Sequence, residues 1–71
     1  MRNELKTADV WTGWFRIEVR TAAAVRITDI ASGVIEWVPL SQVEEIHEQP
    51  DGTYLITMQK WIARKKGFCD E

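Results

Sequence analysis

The residues that could do chemistry here are few: a single histidine, a single cysteine and a short acidic run. His47 stands among Glu44, Glu45 and Glu48, and a carboxylate beside an imidazole can polarise a water molecule. No nucleophile accompanies it in a recognisable motif, so the pattern reads as a solvated edge strand. Cys69 needs an adjacent positive group to become a reactive thiolate. Lys65 and Lys66 are close in sequence, but exposure near the end of the chain accounts for Cys69 equally well, and it reads as inert. Glu44, Glu45, Glu48 and Asp51 offer oxygen atoms for a weak cation site, although solvated charge is the commoner use, and no metal is expected. Gly13, Gly33, Gly52 and Gly67 stand singly, so there is no glycine-rich phosphate loop. An enzyme is not expected, nor any catalytic residue or cofactor.

What remains is surface, and two surfaces compete. Trp14, Arg16, Arg20 and Arg26 combine an aromatic ring with three guanidiniums on the outward side of two neighbouring strands, a set suited to stacking on bases and holding phosphates. Glu18 lies on the same side, and arginines opposite glutamates on a sheet commonly form cross-strand pairs worth ~0.2–1 kcal/mol, which is the preferred reading. The second surface is acidic: Glu44, Glu45, Glu48 and Asp51, with Glu36 on the preceding strand. Such a face repels phosphate and steers a basic partner. Lys60, Arg64, Lys65 and Lys66 near the C-terminal end carry the opposite sign, so a domain of this kind can dock on another protein or on a second copy of itself.

The elements that must position these residues follow from alternation. Val10 to Arg20 alternates, with Trp11, Gly13, Phe15, Ile17 and Val19 on one side and Arg16, Glu18 and Arg20 on the other, which predicts one long half-buried strand. Gly13 before the outward Trp14 suggests a bulge or bend. Ala23–Thr28 and Val34–Val38 flank an Ala31-Ser32-Gly33 turn and predict a hairpin that ends at Pro39. Ser41 with Glu44 three residues on has the outline of a capping box for one helical turn. Glu45–Gln49 and Thr53–Met58 flank Pro50-Asp51-Gly52, a second hairpin. Gln59–Lys66 switches to helix formers, with Gly67 as C′ residue and Phe68 as the closing contact of a Schellman motif. Trp37 and Trp61 are expected in the core, each costing ~3–5 kcal/mol on loss.

Five short strands and a terminal helix predict a mainly β fold: a small five-stranded antiparallel barrel, SH3-like or OB-like, formed by a single domain over residues 1–71 with residues 1–8 as a mobile lead-in. Seventy-one residues suffice for one core, 45% of them apolar and four of them tryptophan, so large rings supply volume that disulfides supply in other small domains. One cysteine excludes an internal disulfide, and no apolar run approaches the ~20 residues of a membrane span, which together predict a cytoplasmic protein. The net charge of −2 disfavours a globally basic nucleic-acid binder.

Glu36-Trp37-Val38-Pro39-Leu40-Ser41-Gln42-Val43 and Trp61-Ile62-Ala63-Arg64-Lys65-Lys66-Gly67-Phe68 resemble a pattern found in small phage- and prophage-encoded proteins of unknown function. Leu40 stands where that pattern carries a basic residue. The resemblance spans about the second half of the chain and implies a phage context rather than an activity. Three functions are therefore expected in order: a non-enzymatic protein-binding module, as small inhibitors of host defence such as anti-CRISPR proteins are; a single-stranded nucleic-acid binder; or a structural or assembly subunit.

Overall fold

A computed structural model describes residues 9–69; the lead-in expected over residues 1–8 lies outside them. The elements are β1 (Val10–Arg20), β2 (Ala24–Asp29), β3 (Ile35–Pro39), a 3-10 turn (Leu40–Gln42), β4 (Val43–Glu48), β5 (Tyr54–Gln59) and a short helix, α1 (Lys60–Lys65). All five strands pair antiparallel in one sheet of order β3-β2-β1-β5-β4. The ladder ends at β3 on one side and β4 on the other, so the sheet is not closed as the expected barrel would be. Its edges are nonetheless consecutive in sequence. Across a flat sheet they would stand about 19 Å apart, and the four steps from Pro39 to Val43 span at most about 14 Å. The sheet must therefore curl, with the 3-10 turn closing one corner.

The concave side of this curl is the core. Phe15, Val25, Ile27, Val38, Ile56 and Met58 are fully buried, and Ile62, Ala63 and Phe68 cover them from the C-terminal helix and the residues beyond it. Trp11 stacks on Phe68 with ring centroids 6.3 Å apart and meets Phe15 edge-on, while Phe15 and Phe68 form a T-shaped pair at 4.9 Å. Each such pair is worth ~0.5–1.5 kcal/mol beyond its burial, which makes this triad the centre of the fold. Gly13 serves it by size: the Trp11 ring lies over the position a side chain would occupy. The bulge expected at Gly13 is instead between Ile17 and Val19, where β1 slips against β2; pairing with β5 through Gly13 is regular.

The turns follow local chemistry. The Asp29 carboxylate, almost fully buried, accepts hydrogen bonds from the Ala31 amide and the Ser32 hydroxyl, and Gly33 closes the hairpin at φ +81°. At the helix end, the Phe68 amide donates to the Ala63 carbonyl and the Gly67 amide to that of Arg64, with Gly67 at φ +86°, so the expected Schellman motif is formed. Ser41 does not cap: it sits inside the 3-10 turn, whose N-cap position is held by Pro39 without a side-chain bond, and Glu44 belongs to β4.

Two expectations about the core are overturned. Trp37 and Trp61 are 43% and 53% exposed. On β3 the inward residues are Glu36 and Val38, because Val38 is fully buried opposite Val25 and shares its parity with Glu36, which pairs with Ile27 and reaches Lys66 at 3.7 Å; Trp37 is left to the other side. On α1 the buried pair is Ile62 and Ala63, and six residues are too few for the stripe to extend to Trp61.

Candidate interaction face

Opposite the core, three rows of side chains carry the sheet's large exposed apolar residues. Trp37 of β3 lies directly across from Arg26 of β2, which pairs with Val19 of β1. Ile35 pairs with Thr28, which pairs with Arg16. Trp14 pairs with Leu55 of β5, which pairs with His47 of β4. Exposure of the five large apolar members runs from 38% at Leu55 to 47% at Trp14. Alternation alone assigns Val19 inward and Arg20 outward. The bulge after Ile17 reverses both, setting Val19 beside Arg26 and Arg20 across from the core residue Val25. Arg20 is thus separated from Trp14, Arg16 and Arg26, which share the outer face as expected.

Trp14 is held rather than free. Its indole Nε1–H donates to Thr53 Oγ1 at 2.6 Å, and that hydroxyl donates to Asp51 Oδ1, also at 2.6 Å. The Thr53 hydroxyl, seconded by the Thr53 amide and the nearby Arg16 guanidinium, holds the Asp51 carboxyl below its ordinary pKa. Thr53 itself is largely buried, so the relay ties an exposed ring to the hydrogen-bonded β4–β5 turn and limits the rotamers the ring would otherwise lose on binding.

The arginines are not neutralised as expected. Among the described residues the ion pair is Lys66–Glu36 at 3.7 Å, and His47 Nε2 lies in hydrogen-bonding distance of Glu45 Oε1 at 2.9 Å; neither contact involves an arginine. Glu18 instead accepts from the Thr28 hydroxyl at 2.8 Å.

The acidic residues are dispersed. A second bulge, between Val43 and Glu45, turns Glu44 and Glu45 to the outer side, where Gln59 Nε2 donates to Glu44 and His47 meets Glu45. Glu48 pairs with Tyr54 and Glu36 with Ile27, both on the core-bearing side, and Asp51 is engaged by Thr53 at the turn. No group of three or more potential metal ligands occurs among the described residues. Cys69 packs against the core. A separate open hollow of about 280 Å³ is bordered by Asp9, Gln59, Lys60, Trp61 and Arg64.

Val19, Ile35, Trp37 and Leu55 are the residues of this face that sequence reasoning missed. The available signal was that Ile35 and Trp37 share a parity opposite to Val34 and Val38, so either parity could face in. Reading Glu36 as solvent-facing selected the wrong one. No helix of the described residues is long and apolar enough to cross a membrane. Comparison with known proteins returns no family model, no curated protein and no solved structure that matches the chain.

Proposed function

We propose that the protein is a non-enzymatic binding module that captures a protein partner on the outer face of its sheet, with Trp14 and Trp37 as the anchoring side chains. The observation that carries this reading is the concentration of five exposed large apolar residues on the face opposite the core. Exposed tryptophans with arginines beside them have the composition of interface hot spots, and large apolar patches on soluble domains mark interaction sites. Arg16, Arg26, Glu18 and Glu45 supply a charged rim of mixed sign, with the polar His47 beside Glu45. The contact centre is thus placed on the sheet face rather than on the acidic residues, whose members Glu36 and Glu48 lie on the other side. The phage resemblance of Glu36–Val43 and Trp61–Phe68 would put that partner in a phage context, as a host or a phage protein, and inhibition of a host defence system is one role such a module could serve there.

A second reading, single-stranded nucleic acid on the same face, is favoured by Trp37 lying across from the unpaired Arg26. Two guanidiniums against Glu18, Glu44 and Glu45, on a chain of net charge −2, give little phosphate attraction, so the protein reading ranks first.

Intrinsic fluorescence separates the two. Titration with short single-stranded DNA at low salt is expected to leave the tryptophan emission unchanged, while Trp14→Ala with Leu55→Ala abolishes retention of a cross-linked partner without altering the circular dichroism spectrum. Salt-sensitive quenching by DNA, or retention indifferent to both substitutions, would overturn the protein reading.

A further inference from the structure

The two edges of the sheet differ in a way that the exposed face does not explain. In an antiparallel ladder, alternate residues direct both backbone groups toward the neighbouring strand and the residues between them direct both away. The Asp29 amide donates to the Val34 carbonyl at 2.8 Å and the Leu40 amide to the Ala23 carbonyl at 2.8 Å, which fixes the phase of β3 from both ends. Glu36 and Val38 therefore face β2. Ile35 and Trp37 turn their N–H and C=O groups away from the sheet, with no partner among the described residues. Their side chains are uncharged, and Pro39 stops the ladder beyond them.

The β4 edge is built in the opposite sense. Of its six residues, Glu44, Glu45 and Glu48 are acidic and His47 is titratable, so two β4 strands brought together would oppose like charges. Charged edges of this kind are the usual protection against strand addition. β3 lacks it.

We infer that the free edge of β3 is a self-pairing edge, through which two copies of the chain join antiparallel about a twofold axis centred on Trp37. In that register the Trp37 N–H of each copy donates to the Trp37 carbonyl of the other, and Glu36 faces Val38 across the axis rather than a second Glu36. Sliding by one pair would set the two Glu36 carboxylates opposite each other, which like-charge repulsion disfavours. On the outer face the row becomes Arg26, Trp37, Trp37, Arg26 across the junction, placing each indole against the other with a guanidinium behind it. The surface joined is one short strand per copy, well below the ~1,200–2,000 Å² of a stable interface, so the dimer assembles only as concentration approaches the millimolar range. This goes beyond the proposed capture of a partner, because it uses backbone groups of an edge where that function uses side chains of a face. Either can fail alone.

Sedimentation equilibrium from micromolar to millimolar protein tests it, with two edge variants. Trp37→Pro and Ile35→Pro each delete an N–H that points away from β2 and leave the β2 ladder bonds intact. The wild type is expected to pass from monomer to dimer, and each variant to weaken dimerisation at least tenfold. Trp37→Phe, which keeps the donor, changes it much less. Amide exchange of the unmodified chain provides the check that needs no variant: protection at Ile35 and Trp37 rises with concentration. A wild type monomeric throughout, a dimer indifferent to both prolines, concentration-independent exchange at these amides, or open-ended growth through β3 and β4 would each overturn the inference.

Discussion

Replacing Gly13 with alanine tests the packing account at its tightest point. The backbone at Gly13 is not in the left-handed region, so strain in φ does not enter. A Cβ there would press into Trp11 Cη2 and stand 2.7 Å from Trp11 Cζ3 and 2.8 Å from Phe15 Cε2. Ordinary carbon contacts are about 3.5–4.0 Å, so these rings must retreat by about 1 Å. Phe15 is fully buried and cannot yield, and the partly buried Trp11 can move only by giving up its stacking on Phe68. Overpacking of this kind costs ~1–3 kcal/mol, and the entropy removed from the unfolded chain by Gly→Ala returns ~0.4–1 kcal/mol. A net loss of ~1–2 kcal/mol lowers the Tm by roughly 4–16 °C in a domain this small. Thermal and urea unfolding measure it, with Gly33→Ala as the contrasting case: no neighbour lies within 4 Å there, and the cost of ~1–2 kcal/mol comes from a φ of +81° alone. Truncating Trp11 to leucine should relieve Gly13→Ala and leave Gly33→Ala untouched, giving a coupling energy of ~1 kcal/mol in the first pair only. A Gly13→Ala protein as stable as the parent would refute the reasoning.

Three other outcomes are expected. Trp37→Ala and Trp61→Ala, at positions 43% and 53% exposed, should each cost under ~1 kcal/mol by urea unfolding, against ~3–5 kcal/mol for Phe15→Ala. Asp51, whose folded pKa is depressed by Thr53, contributes stability that is present above the ordinary aspartate pKa of ~3.9 and lost as pH falls through the lower folded value. Asp51→Asn should therefore flatten the acid limb of a Tm–pH profile. Gly67→Ala, at φ +86° in the Schellman turn, should destabilise by ~1 kcal/mol and loosen Phe68, seen as faster solvent exchange of its amide, which donates to the Ala63 carbonyl.

The fold was readable where the determinant is local and unreadable where it is relational. The bounds of β1 follow from its own alternation, and the Schellman turn from Gly67 and Phe68 standing in sequence. The bulge at Ile17–Val19 is a property of the pair β1 and β2, so no inspection of β1 alone reveals that Val19 turns out and Arg20 turns back. Trp37 shows the same limit. Both parities of β3 carry apolar residues, and what decides between them is the burial of Val38 opposite Val25 in the core, a relation between two strands rather than a property of β3 alone. Of the candidate site, Trp14, Arg16 and Arg26 were legible because β1 and β2 are regular where they lie. Ser41 and Glu44 had capping-box spacing, yet the chain used that spacing to begin a strand, since Val43 and Ile46 gain more by pairing with Met58 and Ile56 than one helical turn could provide.

The position of β1 between β2 and β5 has a consequence for how the chain is made. β1, β2 and β3 emerge from synthesis in order and can pair as they appear, but the Trp11 and Phe15 rings find Phe68 only after β5 and α1 have been added. Until then one flank of β1 has no neighbour and its aromatic side is uncovered, the circumstance in which nascent chains are most prone to aggregate or to engage chaperones. A chain terminated between Pro50 and Tyr54 would thus be three paired strands with β4 left without its partner, a sticky fragment rather than a smaller folded protein.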